Sequence, residues 1–578
     1  YNQDNGILKV DGRNNFNNNI DLKNFQLRSN VNINLTSTTE AVVRLSGVFD
    51  DYNGPIDGGE GMFRKIVASN PVQFPAYYPA SALPSARHIL FGNSSESPTG
   101  GGTGGVPSAN YINHYADMVK GYKDYARSRM YAQFELKQNF GFLLPGLSAR
   151  MLFNTSRYSY FDISRAYSPF FYNANPIDQS HSQYRLSLLN EASARDYLNY
   201  SEGDKEIETI TYYEVAVDYN RAFGDHTVSG LLVGIRRNQL LANQGTLQKS
   251  LPYRNEGVSG RLNYGYKSRY LVEFNFGLNG SERFYKSQRY GFFPSAGLAW
   301  NVSSEPFWEP LKEAIAELKI RATYGLVGND AIGSADDRFF YLSEINTNNI
   351  DRAMYFGTLY NYGRTGFTVS RYANNDITWE TARKLNLGLD IQAFSAFTFT
   401  ADVFTESRNN ILMTRSYIPS TMGLAATVRA NVGEARAYGF DASLDYNKAF
   451  GSNWWLQGRL NFTYARGEYE YYEEPEYPDN LKHLSRNGHA LNQTWGYIAE
   501  RLFIDEYDVA NSPRQNFGEY GPGDIKYHDV NGDNEITELD RVPIGHPTVP
   551  EIIFGQGLSV GYKALDFSFF FQGSARSS

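Results

Sequence analysis

Apolar and polar residues alternate along much of the chain with a period of two. The clearest case is residues 385–391, where Leu, Leu, Leu and Ile stand at the odd positions and Asn, Gly and Asp at the even ones. The same alternation recurs at 31–35, 272–279, 440–446 and 460–464. Successive side chains of a β-strand point to opposite faces, so the pattern predicts strands that each have one apolar face.

About sixteen segments of this kind are predicted to be strands. They are residues 21–35, 39–51, 127–139, 147–160, 211–222, 227–237, 257–266, 269–281, 291–302, 317–327, 379–393, 397–412, 431–447, 453–466, 552–562 and 565–573.

The links between these segments alternate in length. Short links are predicted at 36–38, 140–146, 223–226, 267–268, 394–396, 448–452 and 563–564. Long links are predicted at 52–126, 161–210, 238–256, 328–378, 413–430 and 467–551. An up-and-down membrane barrel gives this alternation, because its short turns face the periplasm and its long loops face outside.

A few links add detail to this picture. The link 303–316 is long for a periplasmic turn, and residues 309–316 predict one or two helical turns in it. The outer link 282–290 is short, and 161–210 and 467–551 are each predicted to be one excursion or to contain an extra hairpin. The glycine-rich tract 98–105 predicts a solvated loop rather than a phosphate-binding loop, since no Lys-Ser/Thr follows it.

The number of strands decides which face meets lipid. A closed barrel of about eight strands can fill its interior with side chains, whereas one of sixteen or more leaves a wide lumen that holds water or a plug. The apolar face must then point outward and the polar face inward, which predicts an all-β, transmembrane, up-and-down antiparallel barrel. Aromatic residues near the strand ends fit interfacial girdles or packing roles better than sugar stacking: Tyr158, Tyr160, Trp300, Trp379, Trp454 and Trp455.

Composition removes several functional classes. The chain has no cysteine, which excludes disulfides, thiolate metal sites and thiol nucleophiles. Its net charge is −8 and no block of Lys and Arg stands out, so a nucleic-acid partner is not expected. No apolar run approaches the roughly 20 residues that a membrane-spanning helix needs, but a membrane-spanning strand needs only about 9–11 residues.

No catalytic constellation is evident, and we predict that the protein is not an enzyme and requires no cofactor. Residues 557–561 match the nucleophile pattern GxSxG, which requires a strand-to-helix turn and a later histidine. Here the pattern lies inside a predicted strand, and no histidine follows residue 546. A chance match is the better interpretation.

A possible calcium site is formed by Asp529, Asn531, Asp533 and Asp540. These oxygen-bearing residues stand at positions 1, 3, 5 and 12 of a stretch spaced like an EF-hand loop. Position 6 is Asn534 where glycine is usual, and position 12 is Asp rather than the longer Glu. The alternative is an Asx-rich turn without an ion, because Asn and Asp favour turns in any case.

An acidic, aromatic stretch at 468–477 provides the candidates for ligand binding. Its residues Tyr469, Tyr471 and Tyr472 could stack on sugars or contact a partner protein, since they lie in the long link 467–551. Links of that length are usually functional. The alternative is a solvated hairpin tip.

Several ordered motifs over most of residues 250–573 resemble the SusC/RagA-like family of TonB-dependent outer-membrane transporters. They are residues 260–271 (GRLNYGYKSRYL), 291–300 (GFFPSAGLAW), 318–330 (LKIRATYGLVGND), 378–380 (TWE), 523–527 (GDIKY), 529–533 (DVNGD), 540–541 (DR), 544–545 (IG) and 570–573 (FFQG). The first 250 residues agree with the family in character more than in motif.

The resemblance implies a barrel of about 22 strands around an N-terminal plug in the outer membrane of a Gram-negative, Bacteroidetes-type bacterium. It also implies import of oligosaccharides or oligopeptides, energy supplied through TonB, and a SusD-like surface lipoprotein as partner. The plug, the TonB box and the N-terminal extension of the family are not found, and residues 573–578 do not match its final strand. We therefore expect residues 1–578 to be a partial barrel domain that contains about 16 of these strands.

Other functions remain open at this point. A TonB-dependent receptor for siderophores or other nutrients would share the same barrel. A passive porin or adhesin barrel would need neither plug nor TonB. A secreted β-rich protein that binds or hydrolyses glycans would be soluble without detergent, but no pair of catalytic carboxylates can be nominated for it.

Overall fold

The computed structural model describes residues 1–9, 13–94, 111–177, 183–333 and 337–578. The glycine-rich tract 98–105 lies outside these residues. The chain divides into two compact units, which are Tyr1–Gln138 with Met151–Tyr213 and Arg237–Tyr253, and Asn139–Arg150 with Glu214–Arg236 and Arg254–Ser578. Among the described residues, 17 of the strands take part in antiparallel sheet pairing, and they are described unit by unit.

Sixteen of these strands are long, and we number them in chain order. They are β1 (Asp21–Asn34), β2 (Thr39–Gly54), β3 (Gly121–Asn139), β4 (Leu147–Ser168), β5 (Arg195–Phe223), β6 (His226–Ala242), β7 (Tyr253–Tyr266), β8 (Tyr270–Ser281), β9 (Tyr290–Asn301), β10 (Ile315–Asn329), β11 (Glu380–Ala393), β12 (Phe397–Thr414), β13 (Arg429–Phe450), β14 (Trp454–Tyr471), β15 (Ile552–Tyr562) and β16 (Leu565–Ala575). The remaining strand, Asn2–Asp4, pairs with β1. Each of the sixteen predicted strands is confirmed.

Several strands are longer than predicted, and the larger extensions are at their long-link ends. β3 begins at Gly121 rather than 127, β5 begins at Arg195 rather than 211, and β14 ends at Tyr471 rather than 466. The hydrocarbon layer is crossed by about 9–11 residues of a tilted strand. The start of β5, residues 195–206, carries charged or polar residues on both faces, so the alternation that identified the strands does not extend into it.

The predicted alternation of short and long links holds except on either side of β9. The short links run over residues 35–38, 140–146, 224–225, 267–269, 394–396, 451–453 and 563–564, whereas the link 302–314 is longer than the outer links 243–252 and 282–289. At the β7–β8 turn, Lys267 and Ser268 adopt φ of 50° and 56°. Two successive positive φ angles are typical of the tight turn whose twist matches that of an antiparallel hairpin.

The helical turns predicted between β9 and β10 are displaced toward the start of the link. The helical turns predicted at 309–316 are two 3-10 helices at Val302–Ser304 and Pro306–Leu311, and β10 begins directly afterwards at Ile315. Ile315 is β-branched, which favours a strand over further helical turns from this position.

In the first unit, β1 pairs with β2 and β2 pairs with β3. The links of this unit contain helices Gly58–Ala68, His114–Val119 and Leu247–Ser250, a 3-10 turn at Ala80–Ala82, and short strands Tyr77–Tyr78, Leu90–Gly92, Phe171–Pro176 and Tyr184–Leu188. The last two strands pair antiparallel, which confirms an extra hairpin between β4 and β5. Small apolar clusters around Phe91 and Tyr172 hold these links together.

In the second unit, β7 to β16 pair in sequence order as antiparallel neighbours. The long links of this unit contain a hairpin, Glu344–Phe356 with Tyr362–Arg371. They also contain short strands Gln493–Gly496, Ala499–Leu502, Arg514–Gln515, Ile525–Tyr527, Glu535–Ile536 and Val542–Pro547, helix Glu506–Ala510, and 3-10 turns Lys286–Gln288, Ser420–Met422, Asp479–Leu484 and Glu538–Asp540.

No helix in the described part of the chain has the length and apolar character needed to cross a membrane.

Candidate functional site

The register of β9 to β15 separates two faces of the sheet in the second unit. One row of cross-strand neighbours consists of Trp300, Ile320, Leu389, Ala401, Ala442, Phe462 and Phe554. The adjacent row, one residue along each strand, consists of Asn301, Lys319, Asp390, Thr400, Ser443, Asn461 and Gly555. Adjacent rows point to opposite faces, so one face is apolar and the other is polar.

The apolar face is largely uncovered. Leu262, Leu298, Leu387 and Val403 all lie on it, and each is more than half exposed. Soluble proteins rarely expose contiguous apolar patches larger than a few hundred Å². A face of this kind, repeated over ten neighbouring strands, fits contact with lipid.

The six aromatic residues predicted for girdle or packing roles lie in different surroundings. Trp300 stacks on Tyr270 with ring centroids 6.5 Å apart, and Trp454 contacts Tyr562 at 4.4 Å, both at the short-link end of the apolar face. Trp379 instead packs in a buried cluster beneath the long links, with Phe284, Ile332, Phe340 and Ile377.

The other three aromatic residues lie elsewhere on the strands. Trp455 follows Trp454 on β14 and therefore points to the polar face. In the first unit, Tyr160 contacts Tyr125 at 5.7 Å, and the guanidinium of Arg129 lies 5.1 Å from the ring of Tyr158. Tyr158 and Tyr160 therefore pack against side chains of β3.

The polar face carries paired charges. The guanidinium of Arg321 on β10 donates to both carboxylate oxygens of Asp390 at 3.0 and 3.3 Å, and to both of Asp402 at 2.8 and 2.7 Å. Planar guanidinium and carboxylate groups match in this two-pronged geometry. Three adjacent strands are thus connected by side chains as well as by their backbones. The alternation predicted the polar face but not this pairing.

A second set of ion pairs lies on β11 and β12. Lys384 is 3.1 Å from the Glu406 carboxylate, and Arg408 is 2.7 Å from the same carboxylate. Arg408 also reaches Glu380 at 3.2 Å. This part of the polar face therefore offers water many polar groups with little unbalanced charge.

A buried carboxylate connects two long links of the second unit. The Glu473 side chain is almost fully buried, and both of its oxygens accept from Nε of Arg415 at 3.0 and 2.8 Å. It also accepts from the backbone N–H groups of Ser416 and Tyr417 at 3.0 and 3.2 Å. Burial raises the pKa of Glu473, but Arg415 and the two N–H groups outweigh this effect, so its pKa lies below the usual value.

Glu473 was not among the residues predicted from the sequence. In the sequence it is only one of several acidic residues in the stretch 468–477. Its partner Arg415 is 58 positions away, so no local pattern points to the pair.

The three candidate tyrosines lie where β14 leaves the sheet. Tyr469 and Tyr471 belong to β14, so the alternative that places them at a hairpin tip is wrong for these two residues. The rings of Tyr469 and Tyr472 meet edge to face with centroids 5.1 Å apart, and the Arg486 guanidinium lies 5.1 Å from the Tyr472 ring. Tyr471 is more exposed than Tyr469 and Tyr472. The structure thus brings Tyr469 and Tyr472 together and leaves Tyr471 accessible.

The predicted calcium ligands lie in one turn, where they bond to backbone groups. The oxygens of Asp529 accept from the N–H groups of residues 532, 533 and 534, and Asn534 adopts φ of 63°. Asp540 is fully buried and accepts from the N–H groups of residues 530, 531 and 537. Asn531 donates to Asp533 at 2.9 Å. These bonds fit the Asx-rich alternative, and the calcium site stays a prediction.

In the parts of the chain that the structure describes, no group of three or more His, Asp or Glu side chains is placed to hold a metal ion. The GxSxG match at 557–561 lies within β15, as expected for a chance match.

The sequence model of the family described as TonB dependent receptor-like, beta-barrel matches residues 72–546. The chain belongs to this TonB-dependent receptor family. Members of the family are β-barrels of the outer membrane and serve as receptors or transporters, which confirms the predicted fold class and localisation.

Curated relatives of this TonB-dependent receptor barrel come from two bacteria. TonB-dependent receptor P26 of Formosa agariphila is 30% identical over 343 residues, which are 54% of this chain and 31% of that protein. TonB-dependent receptor P3 of the same bacterium is 27% identical over 408 residues, or 63% and 38% of the two chains. TonB-dependent receptor SusC of Bacteroides thetaiotaomicron is 27% identical over 387 residues, or 62% and 36%. The chain thus spans less than two fifths of the length of these relatives.

Solved structures show the same fold. The RagAB peptide importer in its open-open state has a TM-score of 0.65 and 14% identity, with 97% of this chain and 57% of that chain covered. Its closed-closed state has a TM-score of 0.63 and 16% identity, with 97% and 58% covered. The predicted likeness to SusC and RagA is confirmed.

Proposed function

We propose that this barrel domain is the conduit of an importer that carries oligosaccharides or oligopeptides across the outer membrane, and that it has no enzymatic activity. The match of residues 72–546 to the TonB-dependent receptor barrel family carries the proposal. TonB supplies the energy and a SusD-like surface lipoprotein delivers the substrate. SusC and the RagAB peptide importer, with which the chain shares motifs or fold, support these finer points.

The two-faced sheet supports a conduit. Its apolar face suits lipid, and its polar face presents hydroxyl, amide and paired charged groups to an aqueous interior. Such a wall lets hydrophilic substrates pass without strong binding to any one charge.

The substrate class is tested by growth of a deletion strain on defined glycans and peptides as sole nutrients. We expect loss of growth on one class, restored by the wild-type gene and abolished again when TonB is inactivated. Uptake that continues without TonB would favour the passive porin alternative. A defect limited to iron-poor medium would favour a siderophore receptor.

The hairpin Glu344–Phe356 with Tyr362–Arg371 supports a protein partner on the long-link side. Its residues Ile350, Leu359, Tyr360 and Phe367 are each about three-quarters exposed. An isolated two-stranded hairpin is at best marginally stable in water, and one with apolar groups exposed on both sides gains stability when a partner covers it.

This contact is tested by co-purification of the importer with the lipoprotein encoded beside it. Leu359→Asp should weaken co-purification, whereas the neighbouring exposed substitution Asn361→Asp should not. Equal recovery with both variants would place the lipoprotein elsewhere.

The tyrosines at the end of β14 are proposed to contact the substrate or the lipoprotein. A Tyr469/Tyr471/Tyr472 triple alanine variant should lose uptake while its surface expression stays normal. Tyr507→Ala, at an exposed tyrosine of the same long link, is the matched control. Normal uptake by the triple variant would leave these residues with a packing role only.

A further inference from the structure

The link between β9 and β10, residues 302–314, has an unusual composition for a connecting segment. Its 3-10 helix Pro306–Leu311 has the sequence Pro-Phe-Trp-Glu-Pro-Leu, in which Glu309 is the one polar residue. Phe307 is 62% exposed and Leu311 is 46% exposed. Connecting segments that face water are normally polar, so an aqueous environment does not account for this surface.

The link starts on the apolar face of the sheet. Its residue Glu305 accepts from the hydroxyl of Tyr270 at 2.5 Å and from Nε1 of Trp300 at 3.2 Å. Tyr270 and Trp300 are cross-strand neighbours on β8 and β9, and both belong to the apolar face. The Glu305 carboxylate therefore lies at the rim of that face and not on the polar side.

Glu305 is suited to hold this position. The carboxylate is 8% exposed, and Arg269 adds an ion pair at 3.4 Å. A carboxylate with so little access to water is stable only with such partners.

The far end of the link is also fixed. Trp308 donates from Nε1 to the carbonyl of Ile315 at 3.0 Å, and Phe394 of the β11–β12 turn donates its N–H to the carbonyl of Ala314 at 2.8 Å. Phe394 itself is largely exposed. The exposed apolar side chains of the link and of the neighbouring turn are thus held at the same rim of the sheet.

We propose that the β9–β10 link lies in the periplasmic leaflet of the outer membrane and that Phe307 and Leu311 contact the acyl chains of phospholipids. The surface continues the lipid-facing side of the sheet, where Tyr270 and Trp300 form its last aromatic pair. Aromatic residues are preferred at this depth because their rings are apolar and their edges polar. Lys312 and Glu309, which pair at 3.0 Å, lie beside the apolar residues and can reach the headgroups.

Residues 1–578 contain no cysteine, so in a background in which any cysteine elsewhere in the protein is replaced by serine, a single introduced cysteine carries the only spin label. The labelled sites are Phe307→Cys and Leu311→Cys in the full protein, folded in vesicles of phosphatidylethanolamine and phosphatidylglycerol. Leu387→Cys on the lipid-facing side of β11 is the lipid reference. Ser452→Cys in the exposed β13–β14 turn is the aqueous reference. Power saturation measures collisions with oxygen, which concentrates in lipid, and with a nickel chelate, which stays in water.

We expect the oxygen-to-nickel ratio at 307 and 311 to approach the Leu387 reference and to exceed the Ser452 reference. Glu305→Gln should lower the ratio at 307, because it weakens the tie to Tyr270 and Trp300. Heat-modifiable gel mobility confirms that each variant is folded. Ratios equal to that of Ser452 would overturn the proposal, and so would labels shielded from both reagents, since that result would show contact with a periplasmic protein. Neither result depends on which substrate is imported.

Discussion

Positions 386 and 387 of β11 allow a direct measurement of which face of the sheet meets lipid. Leu387 is 53% exposed and lies between Ala322 and Val403 on the apolar face. Asn386 is opposite Thr323 and points to the other face. Leu387→Lys therefore places a charge toward hydrocarbon, and Asn386→Lys places the same charge toward the aqueous interior.

The free-energy cost of Leu387→Lys follows from the depth of residue 387 in the membrane. Leu387 is six residues from Ala393, the last residue of β11 at the short-link end. At about 3.3 Å per residue this is ~20 Å of strand. A tilt of about 40° reduces it to a height of ~15 Å, close to the middle of an apolar band about 25 Å tall. Lysine at the midplane costs roughly 2–4 kcal/mol, whereas Asn386→Lys should stay within about 0.5 kcal/mol.

The assay is equilibrium unfolding of the full protein in phospholipid vesicles, followed by tryptophan fluorescence. A difference of about 1.5–4 kcal/mol between the two variants corresponds to roughly 10- to 900-fold in the folding equilibrium. Leu387→Met, which keeps the volume and apolar character, is the control and should cost less than about 1.5 kcal/mol. Equal costs for the two lysine variants, or a greater cost for Asn386→Lys, would refute the assignment of the faces.

Two further predictions concern the long links. Glu473→Ala, but not Glu476→Ala at its exposed neighbour, should speed amide exchange at the start of the 415–428 link by roughly 10- to 100-fold, because hydrogen bonds to a charged group contribute about 1.5–3 kcal/mol. The pKa of Glu473 is lowered, so protection should be complete at neutral pH and be lost only as the pH falls through that lowered value. If the turn at 529–540 binds calcium, titration calorimetry should detect heat of binding in the wild type and none in Asp533→Ala. If the wild type gives no heat either, the turn is an Asx-rich turn without an ion.

The strands of this protein could be predicted from its sequence because one physical rule acts on every residue of a membrane-spanning strand. Each side chain meets either lipid or water, so residues 385–391 alternate without interruption and the register of β11 follows from them. The rule ends where the strand leaves the membrane. The start of β5, residues 195–210, lacks the alternation, so the pattern predicts a link where the structure continues the strand.

The links could not be predicted in the same way because their contacts are distant in sequence. Glu473 and Arg415 meet across two long links, and each residue alone is an ordinary charged group. Trp379 stands at a strand end, as a girdle residue would, but a cluster drawn from three separate segments buries it. The turn at 529–540 was located from its spacing, yet spacing cannot distinguish oxygens that bind a cation from oxygens that accept backbone N–H groups.

The pairing of charges on the polar face indicates where selectivity arises. Arg321 is held by two carboxylates, and Lys384 and Arg408 share Glu406, so these cations have little unbalanced charge to offer a passing substrate. A wall of this kind hydrogen-bonds weakly to many hydrophilic molecules and discriminates poorly among them. Discrimination among substrates then requires surfaces on which apolar or aromatic side chains are exposed. In the proposed importer, discrimination therefore falls to exposed apolar and aromatic groups outside the membrane face, and among the described residues of the second unit such groups occur in the long links, for example Leu359, Phe367 and Ile504.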